Sequence, residues 1–168
     1  ETPTGLVLSK SSFNENIAAS STVATLSTTD INSADSHTYS FTSGSGDNDN
    51  HFFTIVGSSL RIKESPNYET KSSYNIRLKT TEDSGGESYS KAFTLSVNDL
   101  NETPTGLVLS KSSFNENIAA SSTVATLSTT DEDSGDKHSY VLANGEGDTD
   151  NNSFFIDQSS LKIKTSPD

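Results

Sequence analysis

The chain has 168 residues, of which 29% are hydrophobic and 8% aromatic, so only a thin core is expected. Its formal net charge is −12, which argues against nucleic acid and anionic membrane surfaces as partners, and no apolar stretch is long enough to predict membrane insertion. Cys and Met are absent, so disulfides are excluded, and we expect the fragment to start inside a longer protein.

Residues 1–30 recur without a change at residues 102–131. The period is the size of one independently folding module, so the sequence predicts beads on a string rather than a solenoid. The predicted domains are a complete repeat at residues 1–101 and the N-terminal two-thirds of a second repeat at residues 102–168.

Short runs rich in Val, Ile, Thr, Tyr and Phe alternate with polar residues and are separated by Ser, Gly, Asn and Asp, which predicts β-strands. In chain order the predicted strands of the first repeat are marked by Leu6 and Leu8, Thr22 to Ser27, Tyr39 and Phe41, Phe53 and Ile55, Leu60 and Ile62, Tyr74 to Leu78, and Phe93 to Val97. About seven strands in about 100 residues predict an all-β fold, a seven-stranded Greek-key β-sandwich.

The second repeat is predicted to be incomplete. Counterparts of the Tyr74 to Leu78 and Phe93 to Val97 strands would lie beyond Asp168. A sandwich without these strands has an open edge and exposed apolar surface. We therefore expect residues 102–168 to be partly disordered, or to be completed by strand exchange with another chain.

Oxygen-bearing residues gather where the predicted strands end. The clusters contain Glu15, then Asn67 and Glu69, then Asp99, Asn101 and Glu102 in the join between the copies, and finally Asp131 and Asp133. Calcium takes 6–8 oxygen ligands from carboxylates, amides and backbone carbonyls. Each cluster alone is too small for this ion, but together they suffice.

In chain order these motifs are Glu15-Asn16, Asn67-Tyr68-Glu69, Glu82-Asp83 before Gly85-Gly86, Asp99 to Pro104, and Asp131-Glu132-Asp133. The ordered set resembles the cadherin repeat, and more narrowly the cadherin-like repeats of large bacterial surface adhesins. The resemblance covers all of the first copy and all that remains of the second. It implies a cadherin- or immunoglobulin-like sandwich with Ca2+ bound between successive repeats.

The resemblance also implies which residues bind the ion. The implied ligands at the join are Glu15, Asn67, Glu69, Asp99, Leu100, Asn101, Glu102, Thr103, Asp131 and Asp133, with Leu100 and Thr103 acting through their carbonyls. The implied half-sites of other junctions are Asp30, Asn32, Glu82, Asp83, Glu116 and Asp168.

The chain departs from the family pattern at three places. Asn67 stands where the family has Asp, which removes one charge. Counting from Tyr74 makes Glu82 the ligand of the next element, whereas counting back from the two glycines makes it Asp83, and both alternatives stay open. Asp30 and Asn32 replace the Asp-x-Asp motif. The counterpart of the Glu82-Asp83 element in the second copy would be a further ligand of the join, and it would lie beyond Asp168, so we expect the ion nearest the second copy to be weakened or absent.

Two further features have plainer explanations. Gly46 to Asn50, repeated as Gly147 to Asn151, is read as a turn leading to Phe53 and Phe154 in preference to another calcium loop. The histidines His37, His51 and His138 are interpreted as isolated, so a zinc site or a catalytic triad lacks parts.

The sequence therefore predicts a non-enzymatic, calcium-rigidified extender or adhesion module of a multi-repeat protein, secreted or at a bacterial cell surface. Its expected partners are neighbouring repeats, and a homophilic, cell-surface or polysaccharide ligand. The alternative is a carbohydrate- or protein-binding sandwich, dependent on Tyr68 or Tyr89, in which calcium is only structural. An accessory role beside an appended enzyme is a third hypothesis.

Overall fold

The computed structural model describes residues 1–32 and 34–168. The chain divides into two compact units, unit 1 at Glu1–Leu100 and unit 2 at Asn101–Asp168. Within the described residues the regular elements are β-strands and two single-turn 3₁₀ segments, Asn50–Phe52 and Asn151–Ser153. This confirms the predicted all-β class. No helix in the described part of the chain has the length and apolar character needed to cross a membrane.

Unit 1 is a sandwich of two four-stranded sheets. Its strands are β1 Gly5–Leu8, β2 Ser12–Asn14, β3 Thr22–Thr29, β4 His37–Phe41, β5 Phe53–Val56, β6 Ser59–Ile62, β7 Ser73–Glu82 and β8 Ser88–Asn98. One sheet has the order β1-β3-β6-β5 and the other has the order β2-β8-β7-β4. Consecutive strands β3 and β4 lie in different sheets, as do β6 and β7, so the chain crosses repeatedly between the two layers.

The core of unit 1 lies between these sheets. Leu6, Phe53 and Leu60 come from the first sheet, while Ile76 and Leu95 come from the second, and all five side chains are almost completely buried. Alternate residues of a strand point to opposite faces, and in β7 every second residue is buried as its period-2 pattern predicts. The predicted strands of the first repeat are thus confirmed.

Strand β2 is the one that the sequence did not predict, and it makes the strand count eight. It contains a single apolar residue, Phe13, so it shows no alternation. It forms because Ser12, Phe13 and Asn14 pair in parallel with Ser96, Val97 and Asn98 of β8. A distant partner therefore determines this strand, and a local pattern does not reveal it.

Unit 2 contains one four-stranded sheet. Its strands are β9 Gly106–Leu109, β10 Thr123–Thr130, β11 Phe154–Asp157 and β12 Ser160–Ile163, in the order β11-β12-β10-β9. Within residues 101–168 there is no counterpart of β7 or β8. Residues 113–115 and 138–142, which correspond to β2 and β4, accordingly have no strand conformation.

The inner face of the unit 2 sheet is open to solvent. Leu107 is 67% exposed and Phe114 is 44% exposed, whereas their counterparts Leu6 and Phe13 are 1% and 7% exposed. These exposures agree with the prediction that apolar surface is exposed in residues 102–168.

Candidate metal centre

Glu15 is the most deeply buried acidic residue at the C-terminal end of unit 1, with only 1% of its surface exposed. Its Oε2 accepts the backbone N–H of Tyr68 at 2.8 Å, and its Oε1 accepts the backbone N–H of Leu100 at 2.7 Å. Bonds from N–H donors to an ionised carboxylate are about twice as strong as neutral ones. The carboxylate therefore fastens three separate segments at the point where β2 ends.

A tight turn after Glu15 supports this arrangement. Asn16 has a φ of 59°, a left-handed conformation that asparagine tolerates better than most residues. Its backbone N–H donates to the carbonyl of Pro66 at 2.9 Å. The turn holds the Glu15 side chain toward the segment that contains Tyr68.

Glu69 and Asp99 lie beside this buried carboxylate. One carboxylate oxygen of Glu69 is within 4.8 Å of one of Glu15, and Glu69 also has an oxygen within 4.8 Å of one of Asp99. Two oxygens that bind one calcium ion at about 2.3–2.6 Å are at most about 5 Å apart. The spacing therefore fits a divalent cation shared by Glu69 with Glu15, or by Glu69 with Asp99.

Asn67, another predicted ligand at the C-terminal end of unit 1, has a local structural role. Asn67 Oδ1 accepts the backbone N–H of Thr70 at 2.7 Å, and the Asn67 carbonyl accepts the N–H of Lys71 at 3.0 Å. Asn67 thus shapes the turn that carries Glu69.

Unit 2 arranges its own acidic residues around its first segment. Asp133 Oδ2 accepts the backbone N–H of Glu102 at 2.7 Å, and Asp131 Oδ1 accepts the N–H of Asp133 at 3.2 Å. Asn101 donates its side-chain amide to the carbonyl of Glu102 at 2.9 Å. The two aspartates after β10 are therefore held next to the start of the unit. Thr103 is exposed.

A third set of carboxylates lies at the other end of unit 1. Asp30, Asp35 and Glu82 each have an oxygen within 4.8 Å of the other two. Glu82 is buried at the end of β7, whereas its neighbour Asp83 is exposed. Of the two alternatives for this element, Glu82 is therefore the one that joins the cluster.

Asp35 was not among the predicted site residues. The sequence signal for it is that Asp recurs at position 136 in a segment where many of the other residues differ between the two copies. Asn32 contributes through its backbone, because its N–H donates to Asp30 Oδ1 at 3.0 Å.

The crowding of charge in this cluster changes its proton affinities. The pKa of Glu82 is raised, first by a side-chain hydrogen bond with Asp35, then by burial and by the negative charges of Asp35 and Asp30. The pKa of Asp30 is lowered, mainly because the Asn32 N–H and His37 stabilise its ionised form. One carboxyl of the three thus holds its proton more tightly than an isolated glutamic acid does.

Two histidines contact these acidic residues, so the prediction that they are isolated is wrong. His37 Nε2 lies 3.1 Å from Asp30 Oδ2, and His138 Nε2 lies 3.5 Å from Asp131 Oδ2. In each pair the histidine follows the aspartate by seven residues in the sequence.

Glu116 and Asp168 are predicted half-site residues that unit 2 leaves exposed. Glu116 is the counterpart of Glu15. The counterparts of the two residues that donate hydrogen bonds to Glu15 would have numbers above 168. The backbone turn nevertheless persists, because Asn117 keeps a φ of 57° and donates its N–H to the carbonyl of Pro167 at 2.8 Å.

The Gly46 to Asn50 segment forms a turn, which is the structure that the sequence analysis favours over a calcium loop. Asp47 Oδ2 accepts the backbone N–H of Gly44 at 2.9 Å, and Asp49 Oδ2 accepts that of Asn75 at 2.7 Å. Asp49 Oδ1 also pairs with Lys71 Nζ at 3.0 Å. These carboxylates fix the turn that leads into β5.

The two tyrosines that the carbohydrate alternative requires are half-buried. Tyr68 and Tyr89 both pack against the core of unit 1. Neither therefore offers a fully exposed aromatic platform of the kind that sugars stack on.

Comparison with known proteins supports the fold. No family model and no curated protein sequence matches the chain. Solved structures do match, among them protocadherin gamma B2 extracellular cadherin domains 3–6, with a TM-score of 0.67 at 20% identity over 98% of this chain and 40% of that one.

Two human proteins are similar in the same way. Protocadherin-24 EC1-2 matches with a TM-score of 0.67 at 17% identity over 99% of this chain and 80% of that one. The desmocollin-1 ectodomain matches with a TM-score of 0.63 at 15% identity over 99% of this chain and 34% of that one. The chain spans less than half the length of several of these structures. With its two-sheet sandwich and this likeness to cadherin extracellular domains, the chain has a cadherin-like fold.

Proposed function

We propose that the chain is a calcium-rigidified extender or adhesion module of a multi-repeat protein that is secreted or displayed at the cell surface. In this proposal Ca2+ is bound where one repeat ends and the next begins. The ligands come from the C-terminal end of the first repeat, from the join, and from the aspartates after β10.

One observation carries the proposal, namely the buried carboxylate of Glu15. A glutamate with 1% exposure is costly to bury unless its charge is compensated. Two backbone N–H donors compensate it in part, and the Glu69 carboxylate, with an oxygen within 4.8 Å of one of Glu15, adds a second negative charge. A cation bound between Glu15 and Glu69 lowers that cost.

The chain's own residues explain why a cation stiffens the join. Asp99 and Glu102 are separated by only two residues, and the join contains no flexible Gly/Ser tether. Without a cation, repulsion between acidic groups favours a mobile join. Bound calcium supplies the positive charge that holds carboxylates and carbonyls in a fixed arrangement.

The join also indicates the biological setting. Asn98 to Thr105 resembles the joins of cadherin-like repeats in large bacterial surface adhesins. We therefore propose a bacterial extracellular location, with neighbouring repeats as partners and a homophilic, cell-surface or polysaccharide ligand.

Calcium removal tests this function. We expect chelation to lower the melting temperature of unit 1 and to broaden the distribution of interdomain distances in small-angle X-ray scattering. Glu69→Gln should reduce the response to calcium, whereas Glu146→Gln, which removes the same charge from an exposed loop residue, should leave it unchanged. Identical melting and scattering with and without chelator would refute the proposal.

A further inference from the structure

A cavity lies in unit 1 between the 3₁₀ segment Asn50–Phe52 and the connection from β6 to β7. Its volume is about 340 Å³, and its lining combines aromatic, aliphatic and charged side chains, among them Phe52, Ile62, Glu64, Lys71 and Tyr74. Small-molecule sites are concave and mostly apolar, with a few polar groups and volumes from about 300 Å³ upward. The cavity therefore has the size and lining of a site for a small cyclic ligand.

Two aromatic rings form one wall of this cavity. The ring centroids of Phe52 and Tyr74 are 5.2 Å apart, and the two ring planes meet at 70°. Tyr74 is 5% exposed and anchored in the core, whereas Phe52 is half-buried, so part of its ring stays accessible. The exposed His51 packs on Phe52 with ring centroids 4.2 Å apart. Such a wall offers apolar surface to the C–H face of a sugar ring.

An ammonium group is held in place at the same wall. Lys71 Nζ lies 3.0 Å from Asp49 Oδ1, and it is 5.2 Å from the ring centroid of Tyr74 and 5.8 Å from that of Phe52. An ammonium group carries three N–H donors, of which Asp49 accepts one. Because Lys71 lines the cavity and its side chain is 35% exposed, a ligand oxygen can replace water at another donor.

The charges around the cavity favour a neutral ligand. Asp49 balances the positive charge of Lys71, and Glu64 on the lining adds a negative charge. Burial raises the pKa of the Tyr74 hydroxyl, and the negative charges of Asp49 and Glu64 raise it further. An anionic ligand would be repelled by this negative potential. Sugar hydroxyl groups, in contrast, accept hydrogen bonds from Lys71 and donate them to Glu64.

We propose that this cavity binds one residue of a neutral saccharide. The apolar face of the sugar ring packs on Phe52, and its hydroxyl groups form hydrogen bonds with Lys71 Nζ and the Glu64 carboxylate. This gives the polysaccharide ligand of the proposed function a site and a chemical class, and it rests on that function for its biological role alone. It also separates saccharide recognition from Tyr68 and Tyr89.

The probe is a panel of neutral disaccharides of glucose, galactose, mannose and N-acetylglucosamine, with glucuronic acid as the anionic counterpart. Each is titrated into the 15N-labelled 168-residue protein in the presence of chelator. We expect at least one neutral disaccharide to give saturable shifts at the amides of Phe52 and Lys71. Glucuronic acid should give none.

Two aromatic variants test the contact with the ring. Phe52→Leu should weaken saccharide binding at least about fivefold, because the aromatic wall is lost. Phe93→Leu is the matched control, since Phe93 is also half-buried against the core and has Lys91 Nζ 5.1 Å from its ring centroid. Phe93 does not line the cavity, so this variant should change the affinity by less than about twofold.

Glu64→Gln tests the polar contact without disturbing the core, because Glu64 is exposed. It should weaken binding at least about threefold, since a hydrogen bond to a carboxylate is stronger than one to an amide oxygen. The spectrum of the free variant verifies that unit 1 is folded.

The proposal is overturned if no neutral saccharide binds saturably, or if glucuronic acid alone binds. Equal losses for Phe52→Leu and Phe93→Leu, or unchanged binding by Glu64→Gln, would also overturn it. The calcium-dependent melting shift is measured on the same protein. Failed saccharide binding with that shift intact refutes the cavity assignment alone, whereas saccharide binding without the shift supports the assignment and refutes the calcium-dependent function.

Discussion

Leu6 and Leu107 occupy the same position of an identical 30-residue segment, yet their exposed fractions are 1% and 67%. Strands β1 and β9 cover corresponding residues, and so do β3 and β10. Local sequence therefore determines these strands in both units. The second sheet determines whether their inner side chains are buried.

The same comparison applies to the acidic residues. Glu15 is buried and accepts two backbone hydrogen bonds, whereas Glu116 in the same sequence is exposed. The donors to Glu15 come from residues 53 and 85 positions later in the chain. A ligand set of this kind is therefore complete only when its whole repeat is present.

The largest effect on stability is expected at Phe13, in comparison with its counterpart Phe114. Phe13 lies 6.3 Å from Phe53 and 6.1 Å from Tyr74 between ring centroids, whereas Phe114 has one such neighbour, Phe154. Phe13→Ala should destabilise unit 1 by about 3–5 kcal/mol, and Phe114→Ala should cost unit 2 about 1 kcal/mol. Native-state hydrogen exchange, which reports each unit separately, measures both. Equal costs would mean that the two environments do not differ as described.

The next largest difference in stability is expected between substitutions of Glu15 and of its counterpart Glu116. Glu15→Gln replaces a carboxylate that accepts two backbone N–H groups, and should cost about 2–4 kcal/mol in the absence of calcium. Glu116→Gln, at an exposed position, should change stability by less than about 0.5 kcal/mol. The amide exchange of Tyr68 and Leu100 checks the mechanism, because the one that faces the new side-chain NH2 group should lose protection in Glu15→Gln, and neither should in Glu116→Gln. A similar cost for the two substitutions would contradict this account.

These pairs show which parts of the fold can be predicted from the sequence. The alternation of Tyr74, Ile76 and Leu78 predicts both a strand and its inward face, because the period of two is a local property. Strand β2 was missed because its ladder comes entirely from β8, about 84 residues away.

The candidate ligands divide in the same way, into those that a local motif reveals and those that the fold brings together. Glu15 and Glu69 were identified from motif order, whereas Asp35 joins Asp30 and Glu82 only through the path of the chain between β3 and β4. Pairing of His37 with Asp30 depends on that path as well. Motifs thus mark candidate ligands, but loop conformation decides which side chains converge.

A pH-dependent difference is expected between the wild type and Glu82→Gln in the presence of chelator. The pKa of Glu82 is raised in the folded state above the ordinary value of 4.5, so the native state binds this proton more tightly than the unfolded state. The stabilisation is fully present below the ordinary pKa and is lost as pH rises through the raised value. Wild-type unit 1 should therefore gain stability relative to Glu82→Gln as the pH falls through this window.

Denaturant midpoints at a series of pH values measure this difference. The lowered pKa of Asp30 acts in the opposite direction, because its stabilisation is lost as the pH falls. Asp30 is present in both proteins, so the comparison isolates Glu82 to a first approximation. A midpoint difference that is constant across the window would contradict the assignment of the shift to Glu82.

The smallest effect is expected at Val7 and Val108, which are 47% and 49% exposed on the outward faces of β1 and β9. Val→Ser at either position should change stability by less than about 0.5 kcal/mol. Similar small values from hydrogen exchange would show that the two units differ at their inner faces alone. A large cost at Val108 only would reveal a contact that the structure does not contain.

The central claim is that acidic residues at the end of one repeat and the start of the next bind calcium. A calcium titration followed by 15N–1H NMR tests it most directly. We predict saturable shifts concentrated at the amides of Tyr68, Leu100, Glu102 and Asp133, with little change at Asp47 and Asp148 in the acidic turns. The absence of shifts, or unsaturable shifts of equal size at all acidic segments, would contradict the account.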